Sequence, residues 1–146
     1  MSLPELPGLV SADQLQLTAS TIAEWQLPNG MIPWFPGGHS DPWNHIEAAM
    51  ALAVTGNLDQ AEAAYQWLID TQHQEGPGKG GWHQYYLADG VEDPKFDANV
   101  IAYIATGVWH HWLMTGDRGF LETLWPTVEA AITFVLQLQT PIGGIK

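Results

Sequence analysis

Gln26-Leu-Pro-Asn-Gly30, Gln72-His-Gln-Glu-Gly76 and Gln139-Thr-Pro-Ile-Gly143 share the phrase Q-x-x-x-G, and each closes a stretch with helical periodicity. A second phrase accompanies it: Thr55-Gly56-Asn57 and Thr115-Gly116-Asp117 both join Thr-Gly to a residue that can cap a helix. A recurring helix-turn-helix unit fixes architecture before any local detail. The reading is inner helix, short turn, outer helix, long loop, repeated and preceded by a lone outer helix. Both long loops then fall at one end of the bundle, just before an inner helix, and the functional site is expected there.

Working outward, residues 1–10, with Pro4, Pro7 and Gly8, read as an irregular lead-in, and residues 11–146 as a single helical-hairpin repeat domain. Ser11 can cap a helix reaching Trp25, with Leu15, Ala19, Ile22 and Ala23 on one apolar stripe. Leu27 to Pro42 is a proline- and glycine-rich loop. Trp43 to Thr55 is alanine-rich, which lets neighbouring helices approach closely. Gly56 ends it and Asn57 can cap the amphipathic helix Leu58 to Thr71. Gln72 to Lys95 is a second long loop. Phe96 to Thr115 is expected as one further inner helix. A short helix follows from the Asp117 cap to Leu124, Trp125-Pro126 resets the chain, and Thr127 to Gln139 is the last outer helix. No β-strand is required.

Composition excludes several functions. The formal net charge of −12, with four Lys and Arg in 146 residues, disfavours nucleic acid and anionic membrane surfaces. Without cysteine there is no disulfide, thiolate zinc site or cysteine nucleophile. No signal peptide is visible, so a cytoplasmic location is the default. Ala98 to Gly116 lacks Asp, Glu, Lys and Arg, yet it carries Asn99, His110 and His111 between amphipathic segments. It reads as a buried helix rather than a membrane span.

The Q-x-x-x-G phrase, with Tyr65, Trp67 and Phe134 before it, resembles the QW repeat of terpene cyclases and protein prenyltransferases. In that motif a tryptophan follows the glycine; here Trp34 and Trp82 follow at longer spacing, and the third copy has none. Thr115-Gly-Asp-Arg-Gly-Phe-Leu-Glu-Thr-Leu-Trp-Pro126 resembles a hairpin of the six-hairpin, glucoamylase-like glycosidases. From about Ser11 to Ile145 the chain is similar to bacterial α/α-toroid proteins often labelled prenyltransferase. The resemblance implies an all-α fold: an α/α toroid, or a half-toroid, of antiparallel helical hairpins. This chain supplies only part of a full ring. Either it is a fragment, or copies complete the ring; self-association is expected if the chain is complete.

Eight tryptophans fill a helical core or line a cleft for sugars and other ligands with C–H surfaces. The densest polar cluster is His39-Ser-Asp41-Pro-Trp43-Asn44-His45-Ile-Glu47. Glu47, one turn into an alanine-rich helix, is the candidate general acid if desolvation raises its pKa. Otherwise it accepts hydrogen bonds within the helix wall. Asp97 and Asp93 are the candidate partner carboxylates, because glycoside hydrolysis needs one protonated and one ionised carboxyl. Each also suits a turn or cap. Trp34, Trp43, Trp82, Tyr85 and Tyr86 are candidate sugar platforms, and His39, Asp41, Asn44, His45 and Asn99 candidate hydroxyl contacts. His39, Asp41 and His45 could also bind a metal, with Glu47 or Asp97 completing the set, but the spacing matches no firm ligand signature, so no metal and no cofactor is expected. His110 and His111 are assigned to packing.

These residues favour glycosidase-like hydrolysis or binding of an oligosaccharide or glycoconjugate. The first alternative is an isoprenoid-binding protein of the cyclase or prenyltransferase type. It lacks the cyclases' Asp-rich motif, nearest at Val91 to Asp97, and the prenyltransferases' cysteine ligand. The second alternative is a non-catalytic interaction module.

Overall fold

The computed structural model describes Leu3 and residues 5–145. Met1, Ser2 and Pro4 of the expected lead-in, and Lys146 of the expected domain, lie outside the described residues. The chain is mostly helical. Its elements are α1 (Ala12–Trp25), α2 (Pro42–Val54), α3 (Leu58–Thr71), β1 (Tyr85–Leu87), β2 (Gly90–Asp93), α4 (Ala98–Ala102), α5 (Ile104–Thr115) and α6 (Arg118–Gln137).

Local chemistry starts and stops these helices. Ser11 caps α1 in a full capping box with Gln14, satisfying two N-terminal donors at once. Asp41 caps α2 and accepts from the Asn44 N–H, with Pro42 in the first turn. Asp117 caps α6, and Gly116 ends α5 at φ 67°. Asn57 departs from expectation: it makes no side-chain cap bond. Its amide donates instead to Thr55 Oγ1 at 2.9 Å.

α2 packs against α3 and α5, and α5 against α6, so each inner helix lies beside its following outer helix. The core between them holds Ile46, Leu52, Tyr65, Leu68, Ile101 and Ile104, all fully buried. His111 is also fully buried and stacks on Phe120 at 3.9 Å, the packing role expected of it. Trp109 and Leu113 leave the outer face of α5 exposed.

The repeat is real, but its second glycine is displaced. Gln26 Nε2 donates to Gly30 O at 3.0 Å and to Gln60 O at 2.9 Å. Gln72 Nε2 donates to Gly80 O at 2.9 Å and to Thr127 O at 2.8 Å, so Gly80 rather than Gly76 is the partner. Gly30 (φ 92°) and Gly80 (φ 91°) share a left-handed backbone. A Cβ on either would overlap a carbonyl oxygen of the facing outer helix, Ala63 O or Ala130 O. Only glycine lets the loop pass that close with that φ. The third copy is looser: Gln139 Nε2 reaches only Gly143 O, at 3.2 Å.

Three further expectations are corrected. The second inner helix starts at Ala98, not Phe96, and breaks at Tyr103 into α4 and α5. Pro126 does not restart the chain but sits inside the continuous α6. Its missing N–H leaves one carbonyl of the preceding turn without its helical donor, a cost the twenty-residue helix absorbs through packing of Leu124, Val128 and Ala131. The second long loop contains an antiparallel hairpin, β1–β2, with Tyr85 opposite Asp93 and Tyr86 opposite Val91. Ser40 extends it through an isolated bridge to Tyr86.

Candidate functional site

The two long loops are joined by main-chain bonds. Ser40 N donates to Tyr86 O at 2.8 Å, Tyr86 N donates back at 2.9 Å, and Ser40 Oγ donates to Ile32 O at 2.8 Å. This seam places the first loop, the hairpin and the start of α2 side by side, at the end where the site is expected.

Asp41 organises the first cluster. It is only 3% exposed. Its Oδ1 accepts from Asn44 N at 3.0 Å, and its Oδ2 from Trp34 Nε1 at 2.7 Å and Asn44 Nδ2 at 2.8 Å. Trp34 is thereby fixed, and its ring meets His39 edge-on at 4.5 Å. His39 stacks on Tyr85 at 4.8 Å, and its Nδ1 lies 2.9 Å from Glu92 Oε2. Trp34, His39, Asp41, Asn44, Tyr85 and Glu92 are thus brought side by side.

Glu47 forms the second cluster. Its Oε1 accepts from Tyr103 Oη at 2.7 Å and Trp43 Nε1 at 3.1 Å, while the Trp43 and Tyr103 rings stack at 4.8 Å. The hydrogen bond from Tyr103, then that from Trp43, holds the Glu47 carboxyl below its ordinary range; the small desolvation works the other way. The same contact pushes the Tyr103 phenol up. The raised pKa expected for a general acid is therefore reversed. Glu47 is exposed and stabilised as a carboxylate.

Asp97 and Asp93 make the turn and cap bonds also open to them. Asp97 Oδ1 accepts from Asn99 N at 2.9 Å and Val100 N at 3.3 Å, and Asp93 Oδ1 accepts from Lys95 N at 3.0 Å. Asp97 and Asn99 share the wall of an open concavity of about 560 Å³ with Phe96, Ala102 and Val135. A larger concavity, about 970 Å³, lies at the opposite end, against Thr55, Gly56, Met114 and Thr115. None of the expected site residues lines it. Volume there marks an open gap beside the helix ends, whereas the ordered polar chemistry is at the loop end.

Three expected ligand contacts are core residues. Trp82 is 1% exposed and spends its Nε1 on Leu68 O at 2.8 Å, so it offers no platform. His45 is equally buried; its Nδ1 accepts from Ile32 N at 3.1 Å and its Nε2 donates to Ala64 O at 2.8 Å. Burial lowers its pKa to about 4, which keeps the ring neutral. Tyr86 is buried, accepts from His83 N at 2.9 Å through its hydroxyl, and is pushed up to about 12 by burial. Sequence reasoning missed Tyr103. The available signal was register: Tyr103 follows the capping Asp97 at the distance at which Glu47 follows the capping Asp41.

Among the described residues, no group of three His, Asp or Glu side chains is placed to hold a metal ion. No helix there is long and apolar enough to cross a membrane.

No protein-family model matches the chain. It is, however, 49% identical over 144 residues, 99% of its length, to a protein of Mycolicibacterium hassiacum named MMP endo-(1,4)-3-O-methyl-alpha-D-mannosidase. The likeness is to a carbohydrate-active hydrolase. The chain spans about 39% of that relative's length.

Proposed function

We propose that this chain builds an acidic, aromatic wall of the substrate cleft of an endo-acting α-mannosidase whose substrate carries 3-O-methylated, (1,4)-linked mannose. The observation that carries the reading is the 49% identity across 99% of the chain. The loop-end geometry agrees with it. Rings at Trp34, Trp43 and Tyr85 suit the C–H faces of sugars. Asn44 and Asn99, both exposed, suit hydroxyl contacts.

Hydrolysis of a glycosidic bond takes two carboxyl groups. Glu47, held ionised by Tyr103 and Trp43, suits the base that activates water, or the acceptor of a sugar hydroxyl, better than the acid first assigned to it. Asp97 and Asp93 are the candidates for the proton-donating partner. Each has one oxygen committed to backbone donors. The hairpin order α2–α3 and α5–α6 suits part of an α/α toroid. The likeness lends no weight to the isoprenoid alternative.

A thermal-shift comparison tests this reading. The protein is melted with 3-O-methyl-α-mannose oligosaccharides and, separately, with prenyl diphosphates and Mg²⁺. A ligand that binds only the native state must raise Tm. Stabilisation by the oligosaccharides alone is expected; stabilisation by the diphosphates alone would reject a mannosidase.

A further inference from the structure

The tip of the first loop, Trp34 to His39, is a tight and prebuilt feature. Trp34 N donates to His39 O at 2.8 Å, and Gly38 N donates to Phe35 O at 2.9 Å. The Phe35 ring lies on Gly38 so closely that a Cβ there would sit 2.7 Å from its carbons. Trp34 is anchored on the buried Asp41 carboxylate and wedged edge-on against His39 and Tyr85. Yet both rings face solvent: Trp34 is 45% and Phe35 54% exposed. Fixed, exposed aromatic rings bind without first being ordered.

The Trp34 and Phe35 side chains have no hydrogen-bonding atom left to offer. The indole N–H is on Asp41 and His39 Nδ1 is on Glu92, while His39 Nε2 is buried without a partner. What these two rings present to solvent is carbon. A sugar hydroxyl laid on the two ring faces would give up water and find no partner on them, whereas a methyl ether donates nothing and adds apolar surface. The second cluster is the opposite case: Glu47 and the Tyr103 hydroxyl beside it suit free hydroxyls.

We propose that Trp34 and Phe35 form the subsite that reads the 3-O-methyl group of the mannoside, an inference that rests on the mannosidase reading. The tip then sets specificity, and the Glu47 cluster is indifferent to methylation.

The test compares kcat/KM for a 3-O-methylated (1,4)-α-mannose oligosaccharide and for its unmethylated counterpart. It uses the full-length protein, Phe35→Gln and Trp34→Phe, with melting curves to confirm folding. A pocket that fits one extra apolar carbon discriminates by about tenfold or more. The wild type is expected to prefer the methylated substrate by about that factor. Phe35→Gln is expected to bring the ratio close to unity by losing far more on the methylated substrate than on the unmethylated one. Trp34→Phe, which keeps a ring but drops the Asp41 anchor, is expected to fall between. An unchanged preference in both variants, or equal loss on both substrates, would overturn the subsite. So would a wild type that cleaves both substrates equally, and there the mannosidase reading would survive. A wild type that cleaves neither would overturn both.

Discussion

Tyr103 Oη donates to Glu47 Oε1 across 2.7 Å, joining residues at the same distance beyond the capping aspartates of successive repeats. Repeat geometry thus brings a phenol from one inner helix onto a carboxylate of the other. Tyr103→Phe removes the larger of the two bonds holding Glu47 ionised. The Glu47 pKa is expected to rise towards its ordinary value, and a carboxyl ¹³C titration reads this directly. If Glu47 acts as the ionised base, the acidic limb of the pH–rate profile moves up with it. An unmoved limb would separate Glu47 from the chemistry.

His45 predicts an acid-sensitive fold. Its folded pKa of about 4 lies below the ordinary 6.5, so the unfolded chain binds a proton that the native state refuses. The full contribution is present above pH 6.5 and is lost as pH falls towards 4. At about 1.4 kcal/mol per unit, the loss is on the order of 3 kcal/mol. Burial also lowers His73, His110 and His111, adding the same sign. Urea midpoints should fall between pH 7.5 and 4.5, about the range set by these groups. His45→Gln should start lower and fall less steeply.

Gly80→Ala and Gly76→Ala distinguish the structural repeat from its apparent one. Both glycines have positive φ, but only Gly80 faces a carbonyl oxygen where a Cβ would go. Gly76→Ala should cost about 1 kcal/mol from backbone strain. Gly80→Ala should cost at least about twice that, because the loop must also leave α6. Equal losses in chemical denaturation would refute the assignment.

Gln72 and Gln139 should respond unequally to replacement by Met. Gln72 is buried and serves Gly80 O and Thr127 O; Gln139 is exposed and serves one carbonyl. Stranding two buried acceptors costs about 2–3 kcal/mol, whereas an exposed bond is replaced by water at under about 1 kcal/mol. Thermal melts of the two variants check this.

Much of the helical frame was legible because it is written in short-range chemistry. Ser11 with Gln14, Asp41 with Pro42, and Gly116 with Asp117 place helix ends within a residue or two of those found. Gly80 was not legible, since a glycine-rich loop offers several candidates and only the Ala130 carbonyl selects among them. Nor was the break at Tyr103, where no proline or glycine marks the end of α4. Pro126 misled because local propensity yields to packing along α6. At the site, aromatic and histidine residues were the ambiguous letters. Trp34 and Trp82 look alike in sequence, and what separates them is that one ring stays exposed with its N–H on Asp41 while the other is enclosed with its N–H on Leu68 O. Glu47 was placed correctly on its helix, but its protonation state depended on two donors, one of them on a distant helix.

The most direct test of the central claim is product analysis after incubating the protein with a 3-O-methylated (1,4)-α-mannose oligosaccharide, beside Glu47→Gln of matched Tm. Internal cleavage by the wild type, and a loss of about 100-fold or more in Glu47→Gln, is the predicted result. No cleavage by the wild type, or undiminished turnover by Glu47→Gln, would contradict the account.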